Sequence, residues 1–239
     1  MPPETGPEGT RGRRIAALIR HGEFPRPDQM ASAHLLLPLT ETGREQARQA
    51  AQTVHEWADR SGLEIDPLIE ASQLLRASET ARIIASELGR LRGASFDVED
   101  RDEMLERSLG SCANLRLDEI SRLLAADPRL SPLPEGWRRT PDFRLPVPGA
   151  ESLMQAGART AARIDASLDT IPADDTRDIL RLFVAHSGCL RHAAVVKQAL
   201  EADLVSGITM DFAQSIFVER LSDGSWKRIE GEWKKRDTS

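Results

Sequence analysis

The chain has 239 residues, enough for one large domain or two small ones with a buried core. Its 38 acidic side chains outnumber 32 basic ones, and the net charge of -6 argues against a general nucleic-acid-binding surface, which needs a basic excess. Two cysteines, Cys112 and Cys189, argue against a disulfide framework and for a reducing compartment, and no apolar run approaches a membrane span.

Residues 1–12 are rich in Pro, Gly and charge and read as a disordered leader. With no apolar h-region they do not read as a secretory signal, so the expected location is cytoplasmic. Residues 14–19, RIAALI, read as a buried strand from their continuous apolar character. A Pro-containing loop from Phe24 to Pro38 follows, and then TETGREQARQAAQTVHEWADRSG predicts a helix. Thr42 and Glu45 have capping-box spacing, Ala47, Ala50, Val54 and Trp57 form a stripe, and Gly62 marks the stop. Thr40 is a second good cap at the helix entry.

PLIEAS, residues 67–72, is a short second strand, LLRASETARIIASELG a helix closed by Gly89, and SFDVED a third strand. From Met104 to Pro148 the pattern is irregular, with one helix near Leu115 to Ala126 and then a stretch rich in Pro and Arg. ESLMQAGARTAARIDASLDTI predicts a helix with small residues on its packing face. ILRLFVAH is the clearest strand, and a helix runs from Gly188 to about Leu200. QSIFVERLSDGSWKRIE predicts a hairpin turning at Asp223-Gly224. Alternating strands and helices give an α/β fold, a three-layer sandwich whose mostly parallel central sheet is flanked by helices, with the hairpin at its C-terminal end.

Two strands end alike, one in Arg20-His21-Gly22 and the other in His186-Ser187-Gly188. Ligands of open α/β sheets bind outside the carboxyl ends of strands. Both histidines are therefore expected in one crevice. PLIEAS leads into Ser72 and on to Arg76 in the first turn of the next helix. Two arginines and two histidines at one sheet edge make a site for a compact dianion, because guanidinium forks match phosphate oxygens and imidazoles can donate. The competing reading of Arg76 is a surface helix arginine paired with Glu79 or Glu87. Ser187 and Gly188 sit where backbone N–H groups at a helix start can meet a phosphate oxygen. His34, His55 and His192 read as solvent or packing histidines. The histidines show no His-x-x-x-His pairing.

LIRHGE, PLTETGREQA, ASQLLRASETA, LERSLG, VPGAES and VAHSGCLRH occur in that order between Leu18 and His192. On these pieces the chain resembles the histidine phosphatase superfamily, in its phosphoglycerate mutase-like branch. The resemblance implies a single domain over residues 13–232, with a cap or flap insertion at 107–148 over the site and a tail at 233–239. It implies that His21 is the nucleophile, becoming phosphohistidine, while Arg20, Arg76 and His186 hold the phosphoryl oxygens. Glu106, which fits LERSLG better than Asp102 or Glu103 does, becomes the proton donor. No metal and no cofactor is expected, since guanidinium and imidazole groups supply the positive charge.

The loop EFPRPDQMASAHLLLP lacks the Trp-Asn and Gln-Gly-Trp that usually follow Arg-His-Gly-Glu in the family's mutases, and SCANL replaces a frequent Trp-Glu-Gly. These departures favour a metal-independent phosphatase acting on a small phosphomonoester. A phosphoglycerate mutase-like phosphomutase and a non-catalytic phosphate-binding module stay open beside it. The expected partner is a small phosphorylated metabolite, with no nucleic acid and no membrane, and a possible homodimer is left open. The segment EGWRRTPDFRLPVPG, with Trp137, Arg138, Arg139, Phe143 and Arg144, is either a flap over the pocket or an ordinary surface loop.

Overall fold

Residues 11–31 and 34–236 are described by the structure, a computed structural model. Its centre is a six-stranded sheet in the order β3-β2-β4-β1-β6-β7. β1 (Arg14–Arg20), β2 (Glu64–Ser72), β3 (Asp97–Arg101) and β4 (Ile179–Ala185) run parallel, and β6 (Ser215–Arg220) and β7 (Trp226–Glu230) add an antiparallel hairpin. α1 (Glu41–Arg60) and α2 (Leu75–Arg92) cover one face, α4 (Leu153–Leu168) and α5 (Ser187–Val196) the other.

The strand period of two divides the core. Ile15, Ala17 and Ile19 of β1 and Leu180, Leu182 and Val184 of β4 pack toward α1 and α2. Ala16 and Leu18, with Phe183 and Ala185, pack toward α4 and α5. Helices on both faces explain why β1 and β4 read as unbroken apolar runs rather than alternating ones. A separate small core joins Leu109, Cys112, Ile120, Leu124, Trp137 and Leu145 around α3 (Leu117–Ala125), between β3 and α4 in sequence.

Several boundaries differ from the sequence reading, each for a local reason. Thr40, not Thr42, caps α1: its side chain accepts from the Gly43 N–H at 3.0 Å, and its extended φ and ψ lie outside the helix. Gly62, at φ +66°, does stand at the stop of α1. α2 runs through Gly89 and ends at Gly93, which takes the left-handed conformation at φ +63°. Position rather than residue type decides which glycine terminates. β2 begins at Glu64 rather than Pro67, with a register shift between Ile65 and Ile69 where Pro67 has no N–H for the ladder. α5 ends at Val196, short of Leu200.

Residues 1–10 of the expected leader lie outside the described residues, but Gly12 at its end is docked, its N–H donating to Asp175 O at 3.2 Å. The expected tail is also docked where it is described. Lys234–Lys235 form β8, pairing with β5 (Ile208–Thr209), and Trp233 packs on the core. No helix among the described residues is long and apolar enough to cross a membrane.

Candidate active site

β1 and β4 are adjacent and in register, with Arg20 beside Ala185, so the residues that follow them emerge side by side. The His21 N–H donates to Ala185 O at 2.9 Å, which fixes the exit of one strand against the end of the other. Gly22 comes next because nothing larger fits. A Cβ there would lie 2.4 Å from Gly43 O, where the chain leaving β1 crosses the start of α1. The Gly22 N–H donates to Thr80 Oγ1, and that hydroxyl donates to Arg76 O at 2.6 Å. The turn after β1 is thus tied to the helix that carries Arg76.

His21 is 4 % exposed and His186 1 %, with ring centroids 5.1 Å apart. His21 Nδ1 lies 2.7 Å from Gly22 O, a contact only a protonated nitrogen can make, so Nδ1 carries the hydrogen and Nε2 the lone pair. Burial pushes the His21 imidazole well below its ordinary pKa, and the Arg76 and Arg20 guanidinium groups add to the effect. The ring is neutral at pH 7. His186 is held neutral by the same causes, burial first and Arg76 next.

Arg76, 2 % exposed, spans both rings: its Nε lies 3.3 Å from His21 Nε2 and its second terminal nitrogen 3.1 Å from His186 Nδ1. Its guanidinium lies over the Phe24 ring at 4.7 Å, as that of Arg20 lies over Phe212 at 3.9 Å. Arg20 also donates to Met210 O. Burial lowers both arginines to about 10, which leaves them charged at neutral pH. The surface reading of Arg76 fails, because Glu79 pairs with Arg44 at 2.8 Å and Glu87 with Arg90 at 2.6 Å.

Glu106 is half-buried and sits on the N-terminus of α5. Oε2 accepts from the Gly188 N–H at 2.9 Å, and Oε1 accepts from the Cys189 N–H at 3.1 Å and the Arg107 N–H at 2.9 Å. Its two oxygens satisfy donors that the first turn of α5 would otherwise leave open. Gly188 was expected to offer its N–H to a phosphate oxygen; instead that N–H holds Glu106. A Cβ at Gly188 would lie 2.2 Å from Glu106 Oε1, so the glycine makes room for the carboxylate. The Ser187 hydroxyl is bound within the protein, 3.2 Å from Thr209 Oγ1 and from Arg191 Nε. Asp102 and Glu103, the competing carboxylates, are exposed.

Arg20, His21, Arg76, Glu106, Ser187 and Gly188 share the wall of one cavity of about 850 Å³. His186 lies behind that wall and meets it through Arg76. Gly136 to Arg139 also line the cavity, whereas Arg144 to Pro148 border a separate depression. Part of the Trp137 segment therefore faces the site and part does not.

Four participants escaped the sequence reading. Ser72 Oγ lies 2.9 Å from His186 Nε2 and is fully buried; its place at the end of β2 was legible but its partner was not. Phe24 and Phe212 carry the guanidinium groups, and a lone aromatic in a loop gives no signal of that. His34, expected in solvent or packing, places Nε2 3.0 Å from Glu106 O.

Comparison with known proteins gives the arrangement a context. The histidine phosphatase superfamily (branch 1) matches residues 16–227. The 2,3-bisphosphoglycerate-dependent phosphoglycerate mutase of Parvibaculum lavamentivorans is 26% identical over 217 residues, covering 90% of this chain and 95% of that one. A protein named "Probable phosphoglycerate mutase GpmB" from Cronobacter sakazakii is 32% identical over 182 residues, 72% of this chain and 71% of its own. Among solved structures, the mycobacterial glucosyl-3-phosphoglycerate phosphatase superposes with a TM-score of 0.66 at 21% identity, covering 95% of this chain and 100% of that one. With the family matched over most of its length and the doubly covered parallel sheet in place, this chain belongs to the histidine phosphatase superfamily.

Proposed function

We propose that the protein is a metal-independent phosphatase that hydrolyses a small-molecule phosphomonoester through a phosphohistidine at His21. One observation carries the reading: a desolvated, neutral imidazole, its tautomer fixed by Gly22 O, turns Nε2 toward Arg76 at the wall of a cavity shared with Arg20 and Glu106. A nucleophilic nitrogen must be unprotonated, and phosphoryl transfer asks mainly for positioning and positive charge.

In the first step the His21 Nε2 lone pair attacks phosphorus in line, the N–P bond forms, and the P–O bond to the leaving group breaks. Arg76 Nε, at a long 3.3 Å from Nε2, transfers its hydrogen bond to a phosphoryl oxygen, a stronger acceptor, and so releases the lone pair. Arg20 and Arg76 offset the charge on the equatorial oxygens. Ser72 Oγ can accept from or donate to His186 Nε2, so the ring can present either a lone pair or a proton at Nδ1. Accepting from Arg76 at Nδ1, His186 orients that guanidinium from behind the cavity wall. A proton that enters with the ester passes through Glu106 to the departing oxygen. In the second step water attacks phosphorus, the N–P bond breaks, and Glu106 takes the water's proton and hands it to orthophosphate, which leaves with neutral His21 restored.

Relatives named as mutases and neighbours named as phosphatases both exist. Hydrolysis is favoured by the loop after Glu23, which lacks the mutase residues noted above. The test is phosphate release from a panel of phosphorylated metabolites in EDTA, with vanadate as inhibitor, followed by trapping of an acid-labile, base-stable adduct at His21. Strict dependence on magnesium, or phosphate moving within a bisphosphate-primed substrate faster than it is released, would replace the reading.

A further inference from the structure

His192 reads from the sequence as a solvent or packing histidine, and the structure gives it a more specific place. It is 1 % exposed, in the second turn of α5, against Gly157 of α4, where an added Cβ would lie 2.5 Å from the histidine's own Cβ. Burial lowers its pKa to about 4, so at pH 7 the ring carries a single hydrogen. Nδ1 lies 2.8 Å from Gly188 O, and a carbonyl oxygen only accepts, so that hydrogen sits on Nδ1. Nε2 is then a bare lone pair, buried and without a hydrogen-bond partner among the described residues. An orphaned buried acceptor is unfavourable, and an aliphatic side chain would fill the place without one.

The bond at Nδ1 is not one that the helix requires. Gly188 O lies inside α5, where the backbone N–H four residues on is its ordinary partner. The effect of a second donor on that oxygen lies at the other end of the peptide group. Gly188 C=O and Cys189 N–H belong to one rigid plane. The Cys189 N–H donates to Glu106 Oε1 at 3.1 Å, the longest of the three backbone bonds that hold the carboxylate. His192 Nδ1–H, the peptide between residues 188 and 189, and Glu106 therefore form a continuous chain of hydrogen bonds. A donor on the carbonyl polarises the N–H at the far end and fixes the tilt of the plane that bears it.

We infer that His192 is a positioning residue, which acts through the peptide between Gly188 and Cys189 to hold Glu106 Oε1 in place. That Glu106 is a proton donor rests on the phosphatase reading, but the relay itself can be read without turnover. Its consequence is a division of labour in α5: the first turn seats the carboxylate, and a buried side chain one turn later stiffens the seat.

Three variants of the full chain test it. His192→Leu and His192→Met both remove the donor, and the unbranched Met covers the case in which Leu does not fold. His192→Asn keeps a donor, since its Nδ2 stands where Nδ1 stood. In Leu and Met, kcat for an alkyl phosphate is expected to fall about 3–10-fold, the scale of one hydrogen bond. For p-nitrophenyl phosphate, whose leaving group needs little protonation, kcat is expected to stay within about 2-fold. Asn is expected to recover most of the alkyl activity. The second readout is the Cys189 amide proton resonance, expected to move upfield in Leu and Met and to return in Asn. Equal losses on both esters, no recovery in Asn, or an unmoved Cys189 amide proton would reduce His192 to packing and overturn the inference. Should the wild-type protein release phosphate from no ester, the phosphatase reading falls and the amide proton alone decides. Its movement in Leu or Met and return in Asn would still uphold the relay.

Discussion

Replacing Gly188 by alanine separates the proton donor from the rest of the site. The added Cβ would lie 2.2 Å from Glu106 Oε1 and 2.7 Å from both Cδ and Oε2, where ordinary contact begins at 3.4 Å. The carboxylate must therefore retreat by roughly 1 Å and give up the N–H groups of Gly188 and Cys189, now at 2.9 and 3.1 Å. Charge-assisted bonds of this kind are worth about 1.5–3 kcal/mol, partly offset by about 0.5–1 kcal/mol from replacing a helical glycine with alanine. The fold should survive, with a net loss of up to about 5 kcal/mol for the two bonds, less where water reaches the half-buried carboxylate. The rate should not. A displacement near 1 Å costs on the order of 10²-fold, and loss of general acid catalysis about 10²–10⁴-fold. That cost falls on leaving groups that need a proton. With kcat measured for an alkyl phosphate and for p-nitrophenyl phosphate, the alkyl ester should slow about 10²-fold and the aryl ester less than about 10-fold. Glu106→Gln should show the same split. Equal losses on both esters in a folded Gly188→Ala protein would refute the assignment of Glu106 as the acid and of Gly188 as its seat.

His21→Ala should lower phosphate release by roughly 10⁴-fold or more and abolish the acid-labile phosphoryl adduct, read by radiolabel retention after alkali. Because burial holds His21 far below its ordinary pKa, kcat/KM should show no loss from imidazole protonation as pH falls from about 8 to about 6; a fall centred near the free-histidine value would contradict a buried neutral nucleophile. Stability should nevertheless decline in acid. His192, 1 % exposed, is lowered by burial from 6.5 to about 4, so between those values the unfolded chain binds more protons than the native one and stability rises with pH. Its share is full above about pH 6.5, is lost as pH falls toward 4, and amounts to about 3 kcal/mol. Urea midpoints at about pH 7 and pH 5 should differ less in His192→Leu than in the wild type. Gly22→Ala, whose Cβ would lie 2.4 Å from Gly43 O, should cost about 1–3 kcal/mol in chemical denaturation; an unchanged midpoint would mean the turn after β1 yields freely.

Much of the architecture was legible because it follows from local chemistry. β1 and β4 announce themselves as apolar runs, and their buried pairing makes Arg20-His21 and His186 emerge together. The Asp223-Gly224 turn and its two flanking strands follow from turn chemistry, with Gly224 at φ +81°. Where local rules compete, the sequence named the wrong residue. Thr40 and Thr42 are both capping residues, and Gly89 and Gly93 both stop signals; the docking of α1 against the turn after β1 and the packing of α2 chose between them. Glu106 was chosen from three nearby carboxylates by motif, but its seat on the N-terminus of α5, 82 positions away, is a matter of packing.

The sequence by itself determined which faces are buried, and with them the strand ends that bear the two histidines and Arg20, because hydrophobic period and turn residues act over a few positions. Only the tertiary structure decided that Gly188 seats a carboxylate rather than a phosphate, that Ser72 holds His186, and that arginines from four segments line a single wall. The reason is physical. Desolvation, charge crowding and hydrogen-bond partnership depend on distances through space, and residues 26, 107, 138 and 236 acquire those distances only when the sheet, the cap and the last strand close on one another.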